Sequence, residues 1–188
     1  VPRILVVSAG PSPYSGTEAV GEHVAARLTE AEWQVEHLRV RALPPAALLG
    51  ADGSDPVVGR AMEEVSGADG IVLATPVYKA SFSGLLKVFL DLLPECGFVG
   101  KVVLPLATGG SAAHVLAVDY ALRPVVQSLG ARHTVQSYFL LERHLGRSNG
   151  SLRMSPESTD LLDSVLEQFR EALIMAAGRG TPGAGPRP

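Results

Sequence analysis

A single α/β domain built on a doubly wound parallel sheet is the fold this sequence predicts, and three observations carry the prediction. The runs RILVVS (3–8), GIVLAT (70–75) and KVVLPLAT (101–108) are short and almost wholly apolar, as strands buried on both faces require. Segments with apolar residues at helical spacing separate them, so strands and helices alternate. Apolar residues make up 46% of the 188 residues and aromatics 5%. That Val-, Leu- and Ala-rich balance suits an α/β domain better than a β-sandwich.

The elements follow in order. The first strand covers 3–8 and leads into a loop of small residues, 9–16. A helix starts near Thr17, with Val20, Val24 and Leu28 spaced by four and Ser15 or Thr17 as its cap. A second strand spans 33–40. Asp55-Pro56 opens the next helix, with proline at its first position. The run 70–75 is a central strand, followed by a helix that begins at Ser83 or Gly84 and stops before Pro94. The next central strand is 101–108. Pro105 within it gives no ladder donor, which predicts a bulge or a local break. Gly109-Gly110-Ser111 turns into a long helix, 112–129. A last strand covers 133–138, a polar and mobile loop 143–154, and a final amphipathic helix 156–176. Five strands alternating with helices favour the flavodoxin-like order 2-1-3-4-5, with the ligand at the carboxyl ends around the first and third strands.

The domain is expected to span 1–175, followed by a Gly-, Pro- and Arg-rich disordered tail, 176–188. A net charge of −3 without a basic stripe argues against a nucleic-acid partner. Cys96 stands alone, so neither an intramolecular disulfide nor a cysteine-based zinc cluster is expected, and a reducing cytoplasm is the natural compartment. No targeting segment or membrane span is visible. The His and acidic residues lack metal-ligand spacing, and no Gly-x-Ser-x-Gly elbow marks a serine hydrolase.

Three loops at one sheet edge carry the candidate chemistry. The first, SAGPSPYSGT, has the composition of a phosphate cradle. Backbone N–H groups, the hydroxyls of Ser12, Ser15 and Thr17, and the positive end of the following helix all attract an anion. It is neither a Walker A loop nor a Gly-x-Gly-x-x-Gly fingerprint, so a monophosphate fits best. The second, TPVYKASFSG, offers Pro76 as a stiff strand exit, Tyr78 as an aromatic face and Lys79 as a cation. N–H groups here suit the pyrimidine edge of a flavin. In the third, ATGGSAAH, Gly109 and Gly110 permit positive φ and close approach to a flat ligand. His114 in the following turn either faces the site or is a hydrogen-bonded structural histidine, the latter being favoured. Each loop also has a plain reading as a turn-rich connection.

The stretches ADGIVLATPVYKASFSGLLKVFLDLLPE and GKVVLPLATGGSAAHVLAVDYALRPV resemble the NAD(P)H-dependent FMN reductase family. The closest group is that which supplies reduced FMN to two-component flavin monooxygenases such as alkanesulfonate monooxygenase. Residues 70–125 carry most of the match, and a weaker likeness covers 3–140. The resemblance implies a flavodoxin-like fold, FMN as cofactor and NADPH or NADH as reductant. It implies that Ser8, Ser12, Ser15 and Thr17 hold the phosphate. Thr75, Pro76, Val77, Tyr78 and Lys79 then line the isoalloxazine, with Thr108, Gly109, Gly110 and Ser111 on its far side. No side chain is expected to act as a catalytic acid or base.

The family's first loop usually carries Ser-Pro-Arg, whereas this chain has Gly10-Pro11-Ser12 and no arginine in the loop. One phosphate counter-charge is missing, which implies weaker or differently balanced FMN binding. In the long helix, Pro124 removes the partner of the Tyr120 carbonyl, predicting a kink or a π-bulge. The resembling reductases carry a tyrosine insertion with a π-helix at a tetramer interface, and Tyr120 falls at that position. A homodimer or homotetramer with that helix at an interface is implied. Arg143 and Arg147 are candidates for a nucleotide 2′-phosphate. The alternatives are a tightly FMN-bound quinone, azo or metal-oxyanion reductase, a flavodoxin-type electron carrier, and a non-enzymatic interaction module.

Overall fold

The computed structural model describes residues 1–148 and 151–178. The chain runs β1 (Arg3–Ser8), α1 (Gly16–Glu30), β2 (Gln34–Arg39), α2 (Pro45–Leu49), α3 (Pro56–Gly67), β3 (Gly70–Tyr78), β4 (Ser81–Phe82), α4 (Gly84–Leu90) and β5 (Val102–Gly109). It continues with a π-helical turn (Val118–Leu122), α5 (Arg123–Ser128), β6 (His133–Thr134), β7 (Tyr138–Leu141), β8 (Leu145–Ser148), β9 (Ser151–Met154) and α6 (Pro156–Gly178). Parallel pairing gives the order β2-β1-β3-β5, with β6 and β7 following one another along the outer side of β5. The predicted order therefore holds. The sheet has seven strands rather than five because the last strand is split and β4 adds a short antiparallel pair to β3.

The split has a physical cause. β5 pairs with β6 at Val102 and Val103 and with β7 from Leu106 to Gly109, leaving Leu104 and Pro105 unpaired on that side. On its other side Pro105 stays in register with Leu73. The expected interruption at Pro105 thus appears in the neighbouring strand, and β5 itself runs unbroken, because a strand can keep one ladder where proline lacks a donor for the other. The predicted strand 133–138 accordingly becomes two pieces.

Alternation along the strands makes two cores. Leu5, Val7, Ile71, Leu73 and Val103 face one layer, packed with α3, α4, α5 and the π turn. Ile4, Val6, Val72, Leu104 and Leu106 face the other, packed with α1 and α6 through Val20, Val24, Leu28, Leu162, Leu166 and Phe169. Burial on both faces is why these strands are continuous apolar runs.

Three further expectations change. The helix 112–129 is not uniform. It opens with a 3-10 turn at Ala112–His114 and becomes π-helical over Val118–Leu122, where the N–H of Arg123 donates to the Val118 carbonyl five residues back. The π turn lies where Pro124 removes an α-helical donor. The stretch 143–154, expected as a polar and mobile loop, contains the strands Leu145–Ser148 and Ser151–Met154. Its β8–β9 hairpin pairs Leu145 with Met154, and Leu145, Leu152 and Met154 pack on the core beneath α1 and α6. Three apolar residues on one face were too sparse to show as a strand pattern among Gly, Arg and Ser. Residues 45–49 form a short helix started by Pro45, unseen because its single turn carries no periodicity. Helix α6 extends to Gly178, and the rest of the predicted tail, 179–188, lies outside the described residues. Among the described residues no helix is long and apolar enough to cross a membrane.

Candidate functional site

The carboxyl ends of β1, β3 and β5 bring the three loops to one edge, and buried hydroxyls tie them together. Thr17 at the start of α1 and Thr108 near the end of β5 share a hydrogen bond of 2.6 Å between their Oγ1 atoms. Ser83, the N-cap of α4, donates its Oγ proton to the Ala9 carbonyl at 3.1 Å and receives the Leu86 N–H. The Ser83 N–H donates to Thr75 Oγ1 at 3.0 Å. Thr17, Thr75, Ser83 and Thr108 are all essentially buried. A buried polar group that finds its partner specifies one arrangement, so these bonds fix how the loops sit.

The predicted site residues fall into two groups. The hydroxyls of Ser8, Thr17, Thr75 and Thr108 are buried and bonded within the scaffold. The Ser8 hydroxyl lies 3.2 Å from Glu18 Oε2 and 2.9 Å from His37 Nε2. Ser12, Ser15 and Ser111 sit at the rim, each accepting a backbone N–H: from Tyr14 at 3.1 Å, Glu18 at 3.1 Å and Ala113 at 3.2 Å. Among the described residues none of these three hydroxyls donates to a partner, so each can donate to a ligand. Pro76 and Val77 are buried under the edge, and Tyr78 and Lys79 are exposed on it.

The second loop is a two-residue hairpin turn between Tyr78 and Ser81. Lys79 and Ala80 at its centre have φ of 50° and 61°. Both are left-handed and neither is glycine, so the turn stores strain on the order of 1 kcal/mol per residue. Ala80→Gly is expected to raise the unfolding free energy by about 0.5–1 kcal/mol, after allowing for the entropy glycine adds to the unfolded chain. Urea denaturation measures this, and a loss of stability would count against the strain.

Gly109 and Gly110 do not adopt positive φ as expected. Gly109 also has a packing reason to be small. A Cβ there would stand 2.8 Å from Phe139 Cζ, so glycine makes room for β7 against β5. His114 is not the hydrogen-bonded structural histidine favoured from sequence: its Nδ1 is buried and has no partner among the described residues.

Sequence reasoning missed a buried ion cluster beneath the first loop. Glu18, fully buried in the first turn of α1, receives Arg39 Nε at 2.6 Å and Arg41 Nε at 3.4 Å. His37 Nε2 lies 3.9 Å from the same carboxylate. The one local signal was Ser15-x-x-Glu18, the spacing of a capping box. Ser15 does cap the helix, but Glu18 turns to the arginines while the Ser15 N–H bonds to the Ser12 carbonyl. Burial, and after it the Arg39 guanidinium, hold the His37 pKa below its ordinary value. The unfolded chain therefore takes up that proton first. Stability should fall as pH drops through about 6.5 and level off below the folded-state value. In urea titrations from about pH 8 to about pH 5, His37→Gln should flatten this slope; an unchanged slope would rule out His37 as a source.

The β8–β9 hairpin also reaches the edge. Together with Tyr14, Gly16 and Ala19, its Leu145, Gly146 and Leu152 line a cleft of ≈310 Å³ beside the first loop.

Comparison with known proteins gives a consistent result. A family described as NADPH-dependent FMN reductase matches residues 2–145. The chain is 39% identical to an FMN reductase (NADPH) of Escherichia coli strain K12, covering 91% of this chain and 90% of that one. It is 41% identical to an FMN reductase (NADPH) of Pseudomonas putida strain KT2440, covering 96% and 93%. Among solved structures, the apo form of an NADH:FMN oxidoreductase superposes with a TM-score of 0.84 at 42% identity, covering 92% and 90%.

Proposed function

The chain belongs to the NADPH-dependent FMN reductase family, and we propose that it carries out the reduction of FMN by NAD(P)H at the edge where its three loops meet. The observation that supports this placement is the pair of buried ties, Thr17 to Thr108 and Ser83 to Ala9, which join all three loops into one rigid rim.

The donor set suits FMN. Ser12 and Ser15 would hold the phosphate with their hydroxyls at the start of α1, and Thr17, its hydroxyl tied to Thr108, would act through its backbone N–H. Pro76, Val77, Tyr78 and Lys79 would line the ring, with Thr108, Gly109, Gly110 and Ser111 opposite. Ser8 and Thr75 act from behind, Ser8 by fixing Glu18 and Thr75 by fixing Ser83. The unpaired His114 Nδ1 beside the third loop is a polar atom for a ligand to satisfy. FMN, when bound, supplies the hydride-accepting chemistry. The chain contributes orientation through the rigid rim and donors at its edge. No side chain is assigned a catalytic proton.

NADPH and NADH oxidation followed with and without added FMN tests this function. Oxidation that depends on added FMN is the expected result; no oxidation with either nucleotide in the presence of FMN would refute it. Flavin that leaves the protein on gel filtration supports the further reading that reduced FMN passes to a monooxygenase, whereas retained flavin favours direct reduction of quinones, azo dyes or metal oxyanions. A homodimer or homotetramer with the Tyr120 helix at an interface completes the proposal. Tyr120 is 77% exposed on the π turn, and Val115 and Leu116 beside it are exposed as well. A monomer in sedimentation velocity would remove that part. The lone Cys96 fits a cytoplasmic enzyme.

A further inference from the structure

The cleft of ≈310 Å³ beside the first loop is walled on its far side by the β8–β9 hairpin. Tyr14 and Gly16 of the loop line it, with Glu142, Leu145 and Leu152 across from them. A Cβ on Gly16 would stand 3.0 Å from Leu145 Cδ1, so the hairpin closes tightly on the loop. Glu142 connects the cleft to the third loop. Its Oε2 lies 3.9 Å from where a Cβ on Gly110 would be. The cleft therefore starts at the edge assigned to the flavin ring and reaches the first turn of α1, where Ala19 lines it.

Two of its side chains can recognise a ligand. Tyr14 is 82% exposed, so its ring is covered by nothing in the fold. Glu142 is exposed on the 3-10 turn after β7, and among the described residues its carboxylate meets no donor. The neighbouring Arg143 does not line the cleft, and its Nε donates to His144 Nε2 at 3.2 Å. An aromatic face, two leucines and one carboxylate suit a neutral base carried on a ribose. Bases stack on aromatic side chains, and acidic side chains accept hydrogen bonds from ribose hydroxyls in dinucleotide sites. Ligand clefts span roughly 300–1,000 Å³, and one at the low end has room for a nucleoside rather than a whole dinucleotide.

We propose that this cleft binds the adenosine half of the reducing dinucleotide, with adenine on the Tyr14 ring and the ribose 2′-hydroxyl donating to Glu142. The inference rests on the flavin-reductase reading and deepens it. The nicotinamide must lie on the flavin ring, so adenine is the base left for Tyr14. Glu142 is then a specificity-determining residue. Its carboxylate accepts from the free 2′-hydroxyl of NADH and repels the 2′-phosphate of NADPH, which supplies both an attractive and a repulsive element.

The test follows oxidation of NADH, NADPH and reduced nicotinamide mononucleotide, which has no adenosine, with saturating FMN. It compares the unmodified chain with Glu142→Ala and Tyr14→Leu. Glu142→Ala should raise KM for NADH about tenfold, through loss of a hydrogen bond to a charged group, and should not raise KM for NADPH. Tyr14→Leu should raise KM for both dinucleotides about fivefold or more, through loss of stacking. The mononucleotide should not follow either change, and flavin fluorescence should give FMN the same dissociation constant throughout. An unchanged KM for NADH in either variant overturns the proposal, as does an unchanged ratio of the NADPH and NADH values in Glu142→Ala. An equal rise for the mononucleotide would make these residues part of the rim's scaffold, and weaker FMN would give the cleft to the flavin; each also overturns it. If the unmodified chain oxidises none of the three with FMN present, the reductase reading itself falls.

Discussion

Phe169→Ala is expected to lower the unfolding free energy by about 3–5 kcal/mol, the range for truncating a fully buried phenylalanine. Phe169 is completely buried where α6 lies on the sheet. Its ring occupies a place made by a glycine: a Cβ on Gly70, the first residue of β3, would stand 2.8 Å from Phe169 Cζ and 2.9 Å from Leu173 Cδ1. Ring and glycine interlock, so the core cannot close over the vacancy without moving a central strand. Against a total stability of roughly 5–15 kcal/mol, the loss approaches unfolding. Urea denaturation of both proteins measures it, and a change under about 1 kcal/mol would show that the interlock is not tight. Gly70→Ala should destabilise the natural chain, and less so in a Phe169→Leu background.

Arg39→Met should cost about 2–3 kcal/mol, because it removes the shortest partner of a carboxylate that has no access to water. The value lies below the range for a fully buried pair, since Arg39 is partly exposed and Arg41 still reaches Glu18. Much of the loss is the desolvation of an under-neutralised Glu18, so Arg39→Met combined with Glu18→Gln should recover at least half of it. A double variant as unstable as the single one would mean that the arginine contributes through packing of its stem instead. The same cluster joins the end of β1 to the end of β2 through Ser8, His37 and Glu18. Its failure should therefore also loosen the first loop, and limited proteolysis at residues 9–16 would reveal it.

Much of this was legible locally. The boundaries of β1 were correct to the residue because its apolar run is bracketed by Arg3 and a small-residue loop. Ser15, Asp55 and Ser83 all cap the helices they precede, as short polar side chains do wherever they stand. Pro124, four residues after Tyr120, foretold the π turn because a missing N–H is a property of the residue itself. Less was legible wherever the deciding partner lay far along the chain. The packing of Gly109 against Phe139, thirty positions on, had no local signal.

The sequence by itself determined the alternation of strands and helices, the order of the sheet, and which three loops meet at its edge. Those follow from period, capping and the chirality of crossovers, all of which are local or general. Only the tertiary structure decided what each site residue is free to do. Ser8 and Ser12 look alike in sequence, yet one is bound to Glu18 and His37 while the other, among the described residues, donates to no partner. Arg39 and Arg41 also look alike, yet among the described residues one pairs with two carboxylates through Nε and Nη2 while the other meets one through Nε alone. Hydrogen bonds and ion pairs are short-ranged and set by position in space, and a chain written in one dimension does not show which distant groups will stand within three ångströms of each other.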